Sequence, residues 1–536
     1  MNILRSFVII GFSATLFYGC GGSSEIISTP IENIDTSPLK EAELTEQEKH
    51  TWGHLDLVKD TIPGMSVDKT YEELIKDKKG KKVIVAVIDS GIDIDHEDLN
   101  DVVWTNEDEI PNNGKDDDKN GYVDDIHGWN FLGDAYDEQL EYVRLLASGN
   151  TSDPNYARAE SEHSGEYQNY SAYKANYEQI LTQLNDADEA LKAYFKKDNY
   201  TKEEVNAIKT EDEKLKQAVG IAQYAYNNLG HDSMTDAKAR FERGLGQIND
   251  FLNYNLNKDF NGRKTGDNPD DFSQKFYGNG NVKPSEKGES HGTHVAGIIA
   301  AERNNGKGVN GVANNVEIMS IRTVPNGDEY DKDVALAIRY AVDNGAKVIN
   351  TSFGKYYSPH SDWVRDAIAY AGEHDVLIVN AAGNESLDID KKDVFPNDAI
   401  GTGTEVSDNF ITVGALEPKY GSGMIAGFSN YGKINVDIFA PGARVYSTTP
   451  ENEYGTKGGT SMASPAVAGI AALIRSYYPK LSAAQVKQVI LDSGLPLTTK
   501  VVVGGDANDV RAFATLSKSG KIANAYNAFI LASQVK

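Results

Sequence analysis

Ser461 stands in the run Gly458-Gly459-Thr460-Ser461-Met462-Ala463-Ser464-Pro465, and a helix-compatible stretch, Ala466 to Tyr478, follows it. Such a turn presents a hydroxyl at a helix start, where backbone N–H groups and the helix dipole favour developing negative charge. A serine hydroxyl becomes an effective nucleophile only when a base removes its proton, and the base in turn needs an orienting group. His291 lies in Glu289-Ser290-His291-Gly292-Thr293-His294-Val295-Ala296-Gly297, and Asp89 ends the apolar run Val83-Ile84-Val85-Ala86-Val87-Ile88. Taken singly, each has a plainer reading. Gly-Thr-Ser also caps helices, a strand-end Asp also caps turns, and a lone histidine also serves as a packed structural residue. His291 and His294 could be ligands on one helix face, but no Glu lies between them as in zinc-protease helices.

These residues need elements to hold them. The continuous β-branched run before Asp89 suits a strand buried on both faces of a parallel sheet. Its C-terminal end is where open α/β sheets place their sites. Downstream, strands are predicted over 316–321, 347–350, 376–381, 410–415 and 436–440. Helices are predicted over 331–344, 361–373, 466–478 and 483–493. This alternation indicates an α/β fold with a mostly parallel central sheet flanked by helices. Residues 135–258 differ: they are Tyr-rich and charged, with apolar residues at helical spacing. Tyr177, Ile180, Leu184, Ala187, Leu191 and Tyr194 form one stripe. Thr201 and Glu204 form a capping box opening a second helix through Val205, Ile208, Leu215, Val219, Ala222 and Tyr226. Ala237, Phe241, Leu245, Ile248 and Leu252 mark a third. The expectation is an inserted α-helical subdomain whose stripes are packed core.

The 536 residues carry 53 Lys and Arg against 80 Asp and Glu, a net charge of −27. That balance argues against nucleic-acid binding and against electrostatic attachment to anionic lipid. Arg5, the mostly apolar stretch Phe7 to Phe17 and Tyr18-Gly19-Cys20 read as an export signal, too short to span a bilayer. Cys20 is the sole cysteine, so no internal disulfide forms. Followed by Gly21-Gly22-Ser23-Ser24, it resembles a bacterial lipobox, which implies lipidation of Cys20 and a membrane anchor on an exported protein. The expected organisation is a signal over 1–19, a flexible tether over 20–50, a first globular part over 51–134, the helical insertion over 135–258, and a second globular part over 259–536.

Asp89, His291 and Ser461 occur in the chain order that subtilisin uses for its triad. The local motifs are A-V-I-D-S-G-I-D-I-D-H-E-D-L, S-H-G-T-H-V-A-G, V-N-A-A-G-N at Val379 to Asn384, and G-T-S-M-A-S-P-A-V-A-G. With all four in family order, the chain resembles the subtilases, subtilisin-like serine endopeptidases, over about residues 50–134 and 260–530. The resemblance implies a three-layer subtilisin-like fold and hydrolysis of peptide bonds through an acyl-enzyme. It makes Ser461 the nucleophile, His291 the base and later acid, Asp89 the group that holds the imidazole, and Asn384 the oxyanion donor beside the Ser461 N–H. His294 becomes structural. Ser352, Phe353 and Gly354 match the strand lining the pocket for the residue before the scissile bond, with Ala382 and Gly383 on the far wall. Asn326 to Tyr330 approximately match the opposing strand, so an extended peptide or protein substrate would add as a β-strand. The small walls suit a sizeable apolar residue. The G-x-S-x-G elbow of lipases is absent around Ser461. A binding protein on an inactive protease fold is disfavoured because all four positions are intact.

Asp116 to Asp125 begins as an EF-hand-like calcium loop. Asp116, Asp118 and Asn120 alternate as ligands, Gly121 makes the turn, Tyr122 offers a carbonyl, and Asp124 or Asp125 substitutes for the Glu that His127 replaces. The plainer alternative is a solvated acidic turn. The insertion could restrict substrate access, bind an unknown partner or decorate the surface. No separate propeptide domain is visible between Cys20 and Trp52, so folding is expected to proceed without one.

Overall fold

The run before Asp89 forms strand β1 (Val83–Asp89). Val83, Val85 and Val87 enter one hydrophobic core, while Ala86 and Ile88 enter a second on the opposite face. Successive side chains of a strand point to opposite faces, so a strand covered on both sides needs an unbroken apolar run. The computed structural model describes residues 28–31, 38–286 and 288–535. The export segment and Cys20 lie outside the described residues, as do parts of the tether. No described helix is long and apolar enough to cross a membrane.

Further strands follow in chain order: β2 (Gly128–Asn130), β3 (Val316–Arg322), β4 (Val348–Thr351), β5 (Leu377–Ala381), β6 (Phe410–Leu416), β7 (Ile438–Pro441), β8 (Val445–Thr449), β9 (Glu453–Lys457), β10 (Leu495–Pro496), β11 (Lys500–Val503), β12 (Asp506–Ala512) and β13 (Lys521–Ile522). Nine make one sheet in the order β10-β13-β7-β6-β5-β4-β1-β3-β2. All its pairings are parallel except β10 with β13. β1 lies between β3 and β4, so the chain passes to one side of β1 and then to the other. Crevices for ligands open at such a reversal, outside the carboxyl ends of the strands. Asp89 ends β1 at that point.

Helices His291–Ala300, Thr460–Tyr477, Ala483–Ser493 and Ala525–Gln534 pack on the first core. Asp331–Asp343 and Ser361–Glu373 cover the second. The result is the three-layer α/β arrangement expected. Most boundaries in this part shift by at most two residues, but the helix predicted from Ala466 starts six residues earlier, at Thr460. Pro465 has no N–H to donate to the carbonyl of Ser461 one turn back, and in a helix interior that normally breaks the ladder. Here the Ser352 hydroxyl donates to that carbonyl at 2.9 Å. A tertiary contact meets the need that the sequence pattern reads as a stop.

The helical segment has its own small core. Helix Tyr156–Phe195 is 40 residues long, and Glu213–Asn227 and Met234–Asp250 pack against it. Leu184, Ala187 and Leu191 are buried as their spacing requires, whereas Tyr194 at the stripe's end is half exposed. The second helix differs from expectation. The capping box at Thr201 and Glu204 forms, but that helix closes at Asn206. A new one opens at Glu213, where the Asp212 side chain accepts from the Leu215 N–H. A second N-cap in the sequence thus divides one apolar stripe between two helices.

Candidate active site

Asp89 is 1% exposed, and its Oδ1 accepts from the Ser90 N–H at 2.8 Å. The same oxygen lies 2.8 Å from His291 Nδ1, across 202 residues of sequence. An Nδ1–H held by a carboxylate leaves Nε2 as the basic nitrogen. His291 is the first residue of its helix. Gly292 permits the close approach: a Cβ there would stand 2.3 Å from the Gly91 carbonyl oxygen. Arg322, fully buried at the end of β3, ties the neighbouring pieces together. It donates to the Ser90 carbonyl at 2.9 Å and to Glu289 Oε1 at 3.0 Å, two residues before His291. No motif in the sequence marks Arg322 for that role, because a basic residue at the end of an apolar strand reads as solvent-facing.

Ser461 is the second residue of the helix Thr460–Tyr477. Its Oγ donates to the Ser352 carbonyl at 3.0 Å, while its own carbonyl accepts from Ser352 Oγ. Ser352 thus holds the serine's backbone from the end of β4, and the hydroxyl is turned toward Ser352 and not toward His291. Behind Ser352, Asn350 Nδ2 donates to Ser352 Oγ at 2.9 Å, and Ser464 Oγ donates to Asn350 Oδ1 at 2.8 Å. This buried polar chain fastens the helix to the end of β4.

Asn384 is fixed by its acceptor side. Its Oδ1 receives the Thr460 N–H at 2.8 Å and the Thr460 hydroxyl at 3.1 Å. The amide orientation follows, and Nδ2 is left facing the space beside Gly459. A Cβ on Gly459 would lie 3.6 Å from both Asn384 Nδ2 and the Ser461 nitrogen, so the two donors converge there. Gly383, with φ +100°, makes the turn that delivers Asn384; a Cβ on it would meet Asn430 Nδ2 at 2.3 Å. Thr460 also receives the Gly383 N–H at 3.0 Å. Ser352 and Ala382 are buried, and Gly354 is exposed. Phe353 packs its ring into the second core, so only its backbone can face a substrate.

His294 is kept apart from this chemistry. Its Nε2 lies 3.1 Å from the carbonyls of Val445 and Gly455, one on each strand of the β8–β9 hairpin. Burial pushes its pKa down to about 3. In the unfolded chain a histidine takes up its proton near pH 6.5. Between about pH 6.5 and 3 the unfolded state therefore binds the extra proton, and His294's contribution to stability, complete above pH 6.5, is lost as pH falls. His294→Gln is expected to flatten the decline of unfolding free energy between pH 7 and 4 in denaturant titrations. An unchanged slope would assign the acid sensitivity to other groups.

The acidic loop gathers a different set from the one its spacing indicated. Carboxylate oxygens of Glu109, Asp118 and Asp125 lie within 4.8 Å of one another. Asn120 Nδ2 donates to Asp118 and Asp125, each at 3.0 Å. Asp116 instead accepts the backbone N–H groups of Asn120 and Gly121, and Asp124 accepts those of Asn113 and Gly114. Tyr122 buries its ring against Trp129 and Tyr340. Of the expected ligands, Asp118 and the alternative Asp125 belong to the carboxylate cluster, whereas Asp116 and Asp124 do not. Glu109, before the repeat, escapes detection by spacing. Burial raises the Asp125 carboxyl to about 6, and the Asp118 charge adds to the effect.

A profile of the subtilase family (peptidase S8) matches residues 80–514. A thermophilic serine proteinase from Bacillus sp. (strain AK1) is 43% identical over 189 residues, which cover 35% of this chain and 43% of that protein. Subtilisin DY from Bacillus licheniformis is 37% identical over 228 residues, or 42% of this chain and 78% of the subtilisin. Among solved structures, a cold adapted subtilisin-like serine proteinase aligns at 28% identity and a TM-score of 0.35, covering 44% of this chain and 76% of that one.

Proposed function

Because this chain belongs to the subtilase family, we propose that it is an exported serine endopeptidase with Asp89, His291, Ser461 and Asn384 as its catalytic machinery. The observation that carries this reading is the Asp89–His291 bond formed at the sheet's reversal point, with Ser461 and Asn384 at the facing helix start. In this mechanism the Ser461 side chain turns from the Ser352 carbonyl and gives its hydroxyl proton to His291 Nε2. The oxygen then attacks the scissile carbonyl carbon while His291 takes the proton. The carbonyl electron pair moves to the oxygen facing Asn384 Nδ2 and the Ser461 N–H. As the intermediate collapses, the C–N bond breaks and His291 delivers its proton to the leaving amine. Water, activated by the same imidazole, releases the acid. Asp89 stabilises the imidazolium in both halves.

The test is labelling by a fluorophosphonate probe together with cleavage of a peptide library. Labelling and cleavage, both absent in Ser461→Ala, are expected. Folded protein that neither labels nor cleaves would leave a binding protein on a protease scaffold.

The sequence around Cys20 supports lipidation and membrane attachment, and residues 135–258 are read as an insertion. Its entry is stitched to residues 326–330, which were expected to form the opposing strand but form only an isolated bridge between Asn326 and Asp137. The Asn326 N–H donates to the Tyr136 carbonyl at 2.8 Å, and Arg144 Nη1 donates to the Asp328 carbonyl at 2.9 Å. That placement supports an effect on substrate access.

Glu109, Asp118 and Asp125 suit a hard cation: three carboxylates converge, and one is destabilised as an anion by burial. Calcium would supply the missing positive charge and brace the loop. Calorimetry should show binding and a calcium-dependent rise in Tm, with a stabilisation of about 2.7 kcal/mol when the ion stands 100-fold above its Kd. Glu109→Gln should weaken both. Chelator-treated protein that melts identically with and without calcium would remove the site.

A further inference from the structure

Next to Ser461 lies an open cleft of about 630 Å³ between the end of β9 and the loops at 417–428 and 502–505. None of the residues at 352–354 or 382–384 lines it. It therefore lies apart from the walls assigned to the acyl half of a substrate. Gly458 forms part of its rim, three residues before Ser461, and Phe428 gives it an apolar wall. The Ser386 N–H donates to the Phe428 carbonyl at 2.9 Å, which fixes this wall two residues from Asn384. A peptide whose acyl side follows residues 352–354, and whose carbonyl points to Asn384, must send its leaving half across Gly458 into this cleft.

The charged lining is unusual for a chain of net charge −27. Lys419, Arg444 and Lys457 face a single acid, Glu417, which is already paired with Arg444. Among the described residues, the Lys457 ammonium has no hydrogen bond or ion pair, although the residue is half-buried and lines the cleft. Partial burial lowers its pKa, and the charge of Asp89 acts in the opposite sense. A half-buried cation without a partner is poorly solvated by the protein, and a carboxylate arriving beside it recovers that lost interaction. Resting on the endopeptidase reading above, we propose that Lys457 is a specificity-determining residue selecting peptides with Asp or Glu in the first two positions after the scissile bond.

The experiment compares peptides of one sequence with Glu, Gln or Lys at the first, and then the second, position of the leaving half. Wild type is expected to cleave the Glu peptide with about tenfold higher kcat/KM than the Lys peptide, the size of one charge-assisted contact. Added salt should shrink the ratio. Lys457→Met should level it, Lys457→Glu should invert it, and Lys457→Arg should keep it. A purely structural Lys457 would change all peptides alike and leave the ratio intact, which overturns the inference. So does a wild-type protein that labels with fluorophosphonate and cleaves without regard to charge. Folded wild type that neither labels nor cleaves overturns the endopeptidase reading and this inference with it. Should Lys457→Glu fail to fold, the Met variant and the salt dependence decide.

Discussion

Ser461→Ala is expected to lower kcat for peptide hydrolysis by about six orders of magnitude, the scale seen when a serine triad loses its nucleophile. The loss should be one of chemistry and not of fold. The contacts that seat this residue use its backbone and its neighbours: Ser352 Oγ on the Ser461 carbonyl, and Asn384 on Thr460. Only the hydroxyl's bond to the Ser352 carbonyl disappears. His291→Ala should cost a similar amount, because an imidazole without a hydroxyl to activate has no task, and a hydroxyl without a base is a weak nucleophile. The double variant should therefore match either single one, instead of showing the product of the two losses. Single-turnover assays on a fast peptide substrate would measure this. Substantial hydrolysis by purified Ser461→Ala would place the nucleophile elsewhere.

Asn384→Ala carries the second large effect, a fall in kcat of about 10²–10³ with KM little changed. The Nδ2 donor meets an oxygen whose negative charge exists only while the carbonyl carbon is tetrahedral, so ground-state binding does not depend on it. The structure adds a complication that a second variant resolves. Asn384 Oδ1 also accepts from Thr460, the residue before the nucleophile. Alanine removes donor and anchor together. Asn384→Asp keeps an acceptor for Thr460 while it replaces the donor with a negative charge facing the oxyanion. It should be the slower of the two, with a melting temperature nearer wild type. If the aspartate variant recovers activity over alanine, Asn384 acts mainly by holding Thr460.

Much of this architecture is legible from local pattern. The run 83–88 reads as a strand covered on both faces, since it is short, is apolar throughout, is β-branched at every position but Ala86, and ends at Asp89-Ser90-Gly91. Helix Ser361–Glu373 and helix Ala483–Ser493 appear at their predicted limits. The capping box at Thr201 forms as its spacing demands. Each of these depends on residues within a few positions of one another, and backbone sterics and hydrogen bonding make such short-range preferences strong. The errors fall where a partner distant in sequence supplies what a local rule says is missing. Pro465 ends a helix by rule, and Ser352, 109 residues earlier than Ser461, lets it continue. The calcium-type spacing selected Asp116 and Asp124, but those carboxylates spend their oxygens on nearby amides. Glu109, arriving from outside the repeat, turns inward to join Asp118 and Asp125.

The sequence by itself determined which side chains are available and in what order: an acid after a buried strand, a histidine at a helix start, a serine before a small-residue helix, and an asparagine after a glycine turn. Those are properties of short segments. The tertiary structure alone decided that Asp89 and His291, 202 residues apart, share a hydrogen bond. It also decided that β1 lies where the strand order reverses, and that Lys457, without a partner among the described residues, lines the cleft beside Ser461. The reason is physical. Strand order and loop convergence are set by how many distant apolar faces can be buried at once, and that sum is not written in any one stretch of the chain.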